Sequence, residues 1–474
     1  MQKKNRMIKR VLYSALLILI VITAKAEGYK ISVHWEGLSD TSIYLARYYD
    51  SNIYVNDTLE LNHSGKGIFK GDSSLNEGLY MLYLNGDNYL DFLVGKNQEI
   101  DIYTKNNQLL EALKISGAPD SENFAEYQKY IRKKQNEKSN LTKQLDNLSG
   151  DSRENIVTQI NAIDDNMAAY MQSTLKDAGT GMFGLFIRAA NPVIIPQPDI
   201  EPSHPKYDSI AWFHAYNYRR DHFLDGIDFT DDRILNTPLL KPKLETYFNQ
   251  VLIQSPDSII PQALKVLRKA EPNRRTYQYV SQFLINNSSA SKIMGMDAVF
   301  VAVADEVYLS GKATWADQET LKKITEEVFL TRPNLIGNKA PELVMQNIDG
   351  EYVSLHQLPS TYTVMVFYEY NCGHCKRDIP ALYNNVFMEF LANNIDVYAV
   401  CMNNDFDEWK KFIDDHDLHG WHNVWDPEHQ TQFRFKYNTR TSPLIYLLDK
   451  DKNIIAKKID QNNLSKLLNS LLNK

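Results

Sequence analysis

The stretch Thr363-Val-Met-Val-Phe-Tyr-Glu-Tyr-Asn-Cys-Gly-His-Cys-Lys-Arg-Asp-Ile-Pro380 decides how this chain is read. Thr363 to Tyr368 is a continuous apolar run of strand length, which predicts a buried strand. Cys372 and Cys375 follow, with two residues between them, where a helix is predicted from about Gly373 to Asn393. Such a pair closes a small disulfide ring while its first sulfur stays exposed. A helix N-terminus carries unpaired N–H groups and about half a positive charge, so it favours a thiolate at Cys372. In such motifs a cysteine pKa falls from about 8.5 to between about 3.5 and 7.5. Cys372 is therefore the expected nucleophile and Cys375, deeper in the helix, the resolving thiol of one redox-active disulfide. His374 lies beside Cys375 and is placed to offer the Cys372 sulfur a hydrogen bond or positive charge. That would stabilise the reduced form and make the pair more oxidising, at about 30 mV per 1.4 kcal/mol.

Other uses of the pair fit less well. Zinc needs about four ligands, and the third and last cysteine, Cys401, makes no second Cys-x-x-Cys. Covalent haem attachment needs His directly after the second cysteine, where Lys376 stands. A structural staple across so short a loop restricts the unfolded chain little. No metal and no tightly bound cofactor are expected. Cys401 ends a second apolar strand, Ile395 to Cys401, and reads as a buried, inert thiol.

Outward from the motif, residues 335–474 alternate in the α/β manner. An extended pair, Leu343 to Met345 and Tyr352 to Leu355, meets at Asp349-Gly350. Leu444 to Leu448 and Asn453 to Ala456 form a hairpin around Asp449-Lys-Asp451, and Leu464 to Leu472 is a closing helix. Residues 118–334 predict a helical domain. Phe124, Tyr127 and Ile131 share one face, and Ile156, Ile160, Ile163 and Met167 recur at helical spacing. The break at Ser149-Gly150-Asp151 predicts two antiparallel helices. Prolines from Pro192 to Pro205 form an irregular connector. Residues 27–117 show period-two apolar runs with close-set turn residues, which predicts an antiparallel β domain. No motif outside the last domain carries chemistry.

At 474 residues the chain exceeds one ordinary core, so several domains are expected. Lys3, Lys4, Arg6, Lys9 and Arg10 precede an apolar run from Val11 to Ile22 and then Ala24-Lys-Ala26, the order of an export signal cleaved after Ala26. The run is shorter than the ~20 residues of a membrane span. Membrane proximity is expected only if this signal is retained. Residues 1–26 hold six of the 52 basic residues and none of the 59 acidic ones, so the remainder carries a charge of −13. An acidic chain argues against a nucleic-acid partner.

The cysteine motif resembles that of the thioredoxin superfamily, and specifically its TlpA-like exported thiol-disulfide oxidoreductases, over about Leu335 to Lys474. Pro380, five residues after the second cysteine, matches the proline that bends the active-site helix. Thr441-Ser442-Pro443 matches the cis-proline loop facing the cysteines, and Tyr446 to Ile455 the hairpin after it. The resemblance implies a thioredoxin-like fold and exchange with protein or peptide disulfides, with an upstream redox protein resetting the pair. It implies that Pro443 is cis, that the Ser442 backbone pairs with bound peptide, and that Asn371 and Gly373 line the rim. Asn371 replaces the usual tryptophan. Val366 stands where ordinary thioredoxins bury an aspartate, and Asp378 is the acid expected to accept the Cys375 proton. Cys-Gly-His-Cys is similar to the pair of protein disulfide isomerases, so the net direction stays open. Two rival functions are a thiol peroxidase, which usually has Thr where Glu369 stands, and a periplasmic binding protein whose redox domain only regulates assembly.

Overall fold

The computed structural model describes residues 28–145 and 148–473. The predicted export signal, residues 1–26, lies outside them. No helix among the described residues is long and apolar enough to cross a membrane. The chain divides into two compact units, the first ending at Val251 and the second running Leu252–Lys474. An N-terminal β-sheet region, a helical middle and a C-terminal α/β domain follow one another, and the helical middle is shared between the two units.

In the first unit, β1 (Tyr29–Glu36), β2 (Ser42–Tyr49), β3 (Asn52–Glu60), β4 (Lys66–Gly71), β5 (Gly78–Asn85), β6 (Asn88–Val94), β7 (Glu99–Lys105) and β8 (Lys114–Ser116) form two four-stranded sheets. Their orders are β4-β1-β7-β8 and β3-β2-β5-β6. Alternate residues of β1, namely Ile31, Val33 and Trp35, are buried, and they join Phe69, Tyr80 and Phe92 in one core. The prediction of a wholly antiparallel domain is corrected at one pairing. β1 and β7 run parallel, with Ile31 beside Ile100 and Val33 beside Ile102. Turn residues report only pairings between strands close in sequence, whereas here the chain passes through the other sheet before returning beside β1.

Two long helices follow, α1 (Pro119–Leu145) and α2 (Gly150–Asp177), packed on each other on either side of the predicted break. Phe124 and Tyr127 are buried near the start of α1, and Tyr130 stacks on Tyr170 at 3.8 Å. Asp120 accepts the Phe183 N–H at 2.9 Å, capping α3 (Met182–Ala190). Residues 192–205 hold no helix or strand, as their prolines predict. α4 (Tyr207–His222) and α5 (Leu240–Thr246) complete this unit's α-helices.

The second unit opens with α6 (Pro256–Ala270), α7 (Arg274–Ala290), α8 (Asp297–Ala304) and α9 (Gln318–Thr331). A seven-stranded sheet then forms from β9 (Val344–Asn347), β10 (Tyr352–Ser354), β11 (Tyr362–Tyr368), β12 (Ile395–Cys401), β13 (His422–Trp425), β14 (Leu444–Leu448) and β15 (Ile454–Lys457). Its order is β10-β9-β13-β12-β11-β14-β15. β11 sits inside the sheet, parallel to β12 and antiparallel to β14. Val364, Val366 and Tyr368 face one core and Met365 and Phe367 the other, so every position from Thr363 onward is buried. Burying each such large side chain contributes about 1.5–3 kcal/mol. α10 (Gly373–Leu382), α11 (Phe406–Asp415) and α12 (Gln461–Leu472) supply the first of these cores with Ile379, Trp409 and Leu464. Pro380 sits inside α10, and a π turn at Tyr383–Phe387 and a short 3-10 turn carry the helical path to Asn393.

Candidate active site

Three strand ends converge where β11 delivers the chain to the cysteines. Phe367 lies opposite Leu444, so the residues before β14 come level with those after β11. Tyr368 lies beside Cys401, which brings the β12 end to the same edge. The Met402 N–H bonds the Tyr368 carbonyl at 2.9 Å, and the Tyr370 N–H bonds Asn403 Oδ1 at 2.9 Å. Crevices outside the carboxyl ends of strands are where α/β sheets place their chemistry.

Cys372 is the N-cap residue of α10, half-buried and unbonded to Cys375. The N–H of Cys375, then Ser442 and the N–H of His374, face its sulfur and hold its pKa below that of an ordinary thiol. Cys375 is fully buried, and burial pushes its pKa up to about 12. The helix start thus separates an ionisable outer sulfur from a protonated inner one.

Ser442 faces both. The Cys372 thiol donates to the Ser442 carbonyl oxygen at 3.8 Å, and the Ser442 hydroxyl donates to Glu369 Oε2 at 2.8 Å. The Ser442–Pro443 bond is cis. Apart from its chain neighbours and its own helix backbone, no atom lies within 4 Å of where a Cβ on Gly373 would sit, so the space over the helix start is open. Asn371 is exposed and accepts a bond from Asn403 Nδ2 at 3.3 Å.

His374 and Asp378 both contact Arg377. The His374 ring turns to Arg377, with Nδ1 3.3 Å from Nη2, and it is the His374 backbone that reaches the Cys372 sulfur. Asp378, the expected acceptor of the Cys375 proton, is bound to Arg377. Its carboxylate accepts Arg377 Nε at 2.7 Å and Nη2 at 3.0 Å, and that guanidinium holds it below the usual carboxylate range. The groups acting on the Cys375 thiol are instead the Glu369 backbone, Cys372 and Ser442. In sequence Glu369 reads only as the occupant of a position where thiol peroxidases have Thr; an acid closing an apolar strand three residues before a cysteine is the signal that marks it.

Cys401 is buried, with its pKa up to about 12 through burial, and its sulfur lies 3.9 Å from the Asn403 carbonyl. Behind the pair the Trp409 indole donates to the Tyr368 hydroxyl at 3.0 Å. Among the described residues no group of three or more His, Cys, Asp or Glu is arranged to hold a metal.

Residues 336–457 match the AhpC/TSA family, and residues 29–124 match a domain of unknown function (DUF4369). No curated protein is similar enough to the chain to match it. Among solved structures, a domain of a possible thiol-disulfide isomerase from Cytophaga hutchinsonii is 38% identical, over 30% of this chain and 99% of that one, with a TM-score of 0.28. A thioredoxin-like protein from Bacteroides caccae is 17% identical over 58% of this chain and 98% of that one, with a TM-score of 0.45. A thiol:disulfide interchange protein from a Bacteroides species is 22% identical over 30% of this chain and 93% of that one, with a TM-score of 0.28. The family match marks residues 336–457, the segment that holds the cysteine pair, as an AhpC/TSA thioredoxin-like domain.

Proposed function

We propose that this chain is a thiol-disulfide oxidoreductase that exchanges disulfides with exported protein substrates through Cys372 and Cys375, in the manner of TlpA-like reductases. The observation that carries this reading is the helix-capping Cys372, its pKa lowered, set above a buried Cys375 and against the Ser442 carbonyl. The Cys372 thiolate attacks one sulfur of a partner disulfide, and the partner's other sulfur leaves as a thiolate. Cys375 then attacks Cys372 Sγ, closing the Cys372–Cys375 bond and releasing the partner reduced. Extended peptide pairs with the backbone at Ser442, beside Asn371 and the open face at Gly373. A second redox protein returns the pair to its dithiol state. The charged, apolar and small-residue order of residues 3–26 supports export to the periplasm. The thiol-disulfide names of the Cytophaga and Bacteroides proteins agree with this reading.

Trapping tests it. With Cys375→Ala, partner proteins accumulate as mixed disulfides on Cys372; absence of any trapped partner, with the wild-type pair still reducible, refutes exchange. Titration against glutathione gives the direction. The AhpC/TSA match also favours a second reading, thiol peroxidase. Peroxide consumption by the reduced chain, with no protein disulfide present, would select it.

A further inference from the structure

The backbone ladder between β11 and β14 ends at the pair Phe367–Leu444. Counting on two residues along each strand brings Glu369 opposite Ser442, in line with the buried pairs Met365–Tyr446 and Phe367–Leu444. Residues opposed in this way stand close enough for their side chains to meet. Here they do, the Ser442 hydroxyl donating to Glu369 Oε2 at 2.8 Å. We propose that Glu369 is a positioning residue for disulfide exchange. Its side chain extends the ladder by one pair, so that the backbone before Pro443 is held ready for a partner peptide beside Cys372.

Glu369 reaches both sides of the site. Its carbonyl accepts the Cys372 N–H at 3.2 Å, so one residue fixes the turn into α10 and the loop across from it. The Ser442 carbonyl in turn receives the Cys372 thiol at 3.8 Å. These three contacts close a ring through Glu369, Cys372 and Ser442, which sets the sulfur against the backbone edge where an extended peptide pairs. Pro443, opposite Tyr368 in the same register, has no N–H with which to continue the ladder, and the side-chain bond takes over beyond it. Upstream, Arg440 is paired with Glu327 of α9 at 2.6 Å. The loop is thereby anchored to the helical segment on one side and to the end of β11 on the other.

A loop that is only fractionally in its binding conformation weakens apparent affinity by that fraction. Removing the Glu369 acceptor loosens the loop, so partner peptides bind less well, while the exchange of sulfurs in the bound complex keeps its rate. The bond requires an acceptor oxygen at this place, and the amide oxygen of glutamine supplies one. Glu369 touches no reacting atom and acts through Ser442.

This inference rests on the exchange reading, and one experiment separates their failures. The reduced full-length chain, freed of reductant, is mixed with one of two oxidants. The first is a synthetic peptide of alternating Ala and Ser closed by a single disulfide. The second is dithionitrobenzoate reagent, a symmetrical aromatic disulfide without a peptide backbone. It releases one coloured thiolate on attack by Cys372 and a second on resolution by Cys375. Glu369→Ala is expected to raise the half-saturating peptide concentration about tenfold, with the limiting rate changed by less than about twofold. Its loss of efficiency on the peptide exceeds its loss on the aromatic disulfide by about tenfold. Glu369→Gln restores peptide half-saturation to within about threefold of wild type. Ser442→Ala reproduces the Glu369→Ala loss, and the double variant loses no more than either single one. An unchanged half-saturation in Glu369→Ala, an equal loss on both oxidants, or a Gln variant as impaired as the Ala one overturns the positioning role. A wild-type chain that releases no second thiolate and leaves the peptide oxidised overturns the exchange reading itself.

Discussion

The Cys372 thiol points at the Ser442 carbonyl oxygen, 3.8 Å away and 70 residues further along the chain. The same register that makes this contact leaves Cys375 behind it, sealed in the core with Val366, Tyr368 and Ile379. The two sulfurs differ in solvation and therefore in acidity.

Alkylation of the reduced chain across pH reads this difference. Cys372, with its pKa lowered by the helix-start N–H groups, reaches half-maximal modification below the pH of a free thiol, about 8.5. Cys375 stays protected at that pH, because burial holds its proton until about pH 12. In denaturant both react alike. Mass spectrometry of Cys372→Ser and Cys375→Ser variants assigns each site, and equal reactivity in the folded chain contradicts the geometry.

Asp378→Asn is expected to leave disulfide resolution near its wild-type rate. The carboxylate is paired with Arg377, whose side chain is 69% exposed, and exposed pairs contribute about 0–1 kcal/mol. Denaturant midpoints therefore shift little, and the second thiolate release keeps its pH profile. A selective loss of that phase would return Asp378 to the role its place in the motif suggests.

Strands whose partners lie on both sides were the legible ones. Thr363 to Tyr368, Ile395 to Cys401 and Leu444 to Leu448 are apolar at nearly every position because both faces of the sheet are covered, and composition alone reveals that. β13 escapes such reading, since His422-Asn-Val-Trp425 has no apolar run and owes its strand state to β12 and β9. The parallel pairing of β1 with β7 was equally hidden, because nothing local records which strand a chain rejoins after crossing to another sheet. At the site, the cysteine spacing, Pro380 and Ser442-Pro443 carry a signature, whereas the Glu369–Ser442 bond joins residues 73 apart and needs coordinates to be seen.

Lys457, on β15, has a side chain only 4% exposed, ion-paired with Asp297 of α8 and donating to the Asn334 carbonyl. Burial lowers its pKa, so the charge persists there only with its partners. Asp297→Ala strands that ammonium and is expected to destabilise the second unit by about 3–5 kcal/mol. Replacing both residues, Lys457→Met with Asp297→Leu, is expected to recover most of the loss. Chemical denaturation of the two variants checks the order, and equal destabilisation would show that the pair itself holds α8 to the sheet.

Cys401 provides a test of stability in alkali. Its pKa is about 12 in the folded chain and about 8.5 when unfolded, so the folded state binds the proton more tightly. A raised folded pKa gives stability that is fully present below the unfolded value and is lost as pH rises towards the folded one. Between about pH 8.5 and 12 the wild-type chain should lose up to about 1.4 kcal/mol per pH unit through this thiol, a loss that Cys401→Ala does not share. Cys401→Ala starts lower, because it leaves a small void beside Tyr368, and the gap then narrows as pH climbs from 9 to 10. Urea midpoints of the two reduced proteins at pH 7, 9 and 10 measure the narrowing, and a constant gap would mean that Cys401 ionises as readily in the fold as out of it.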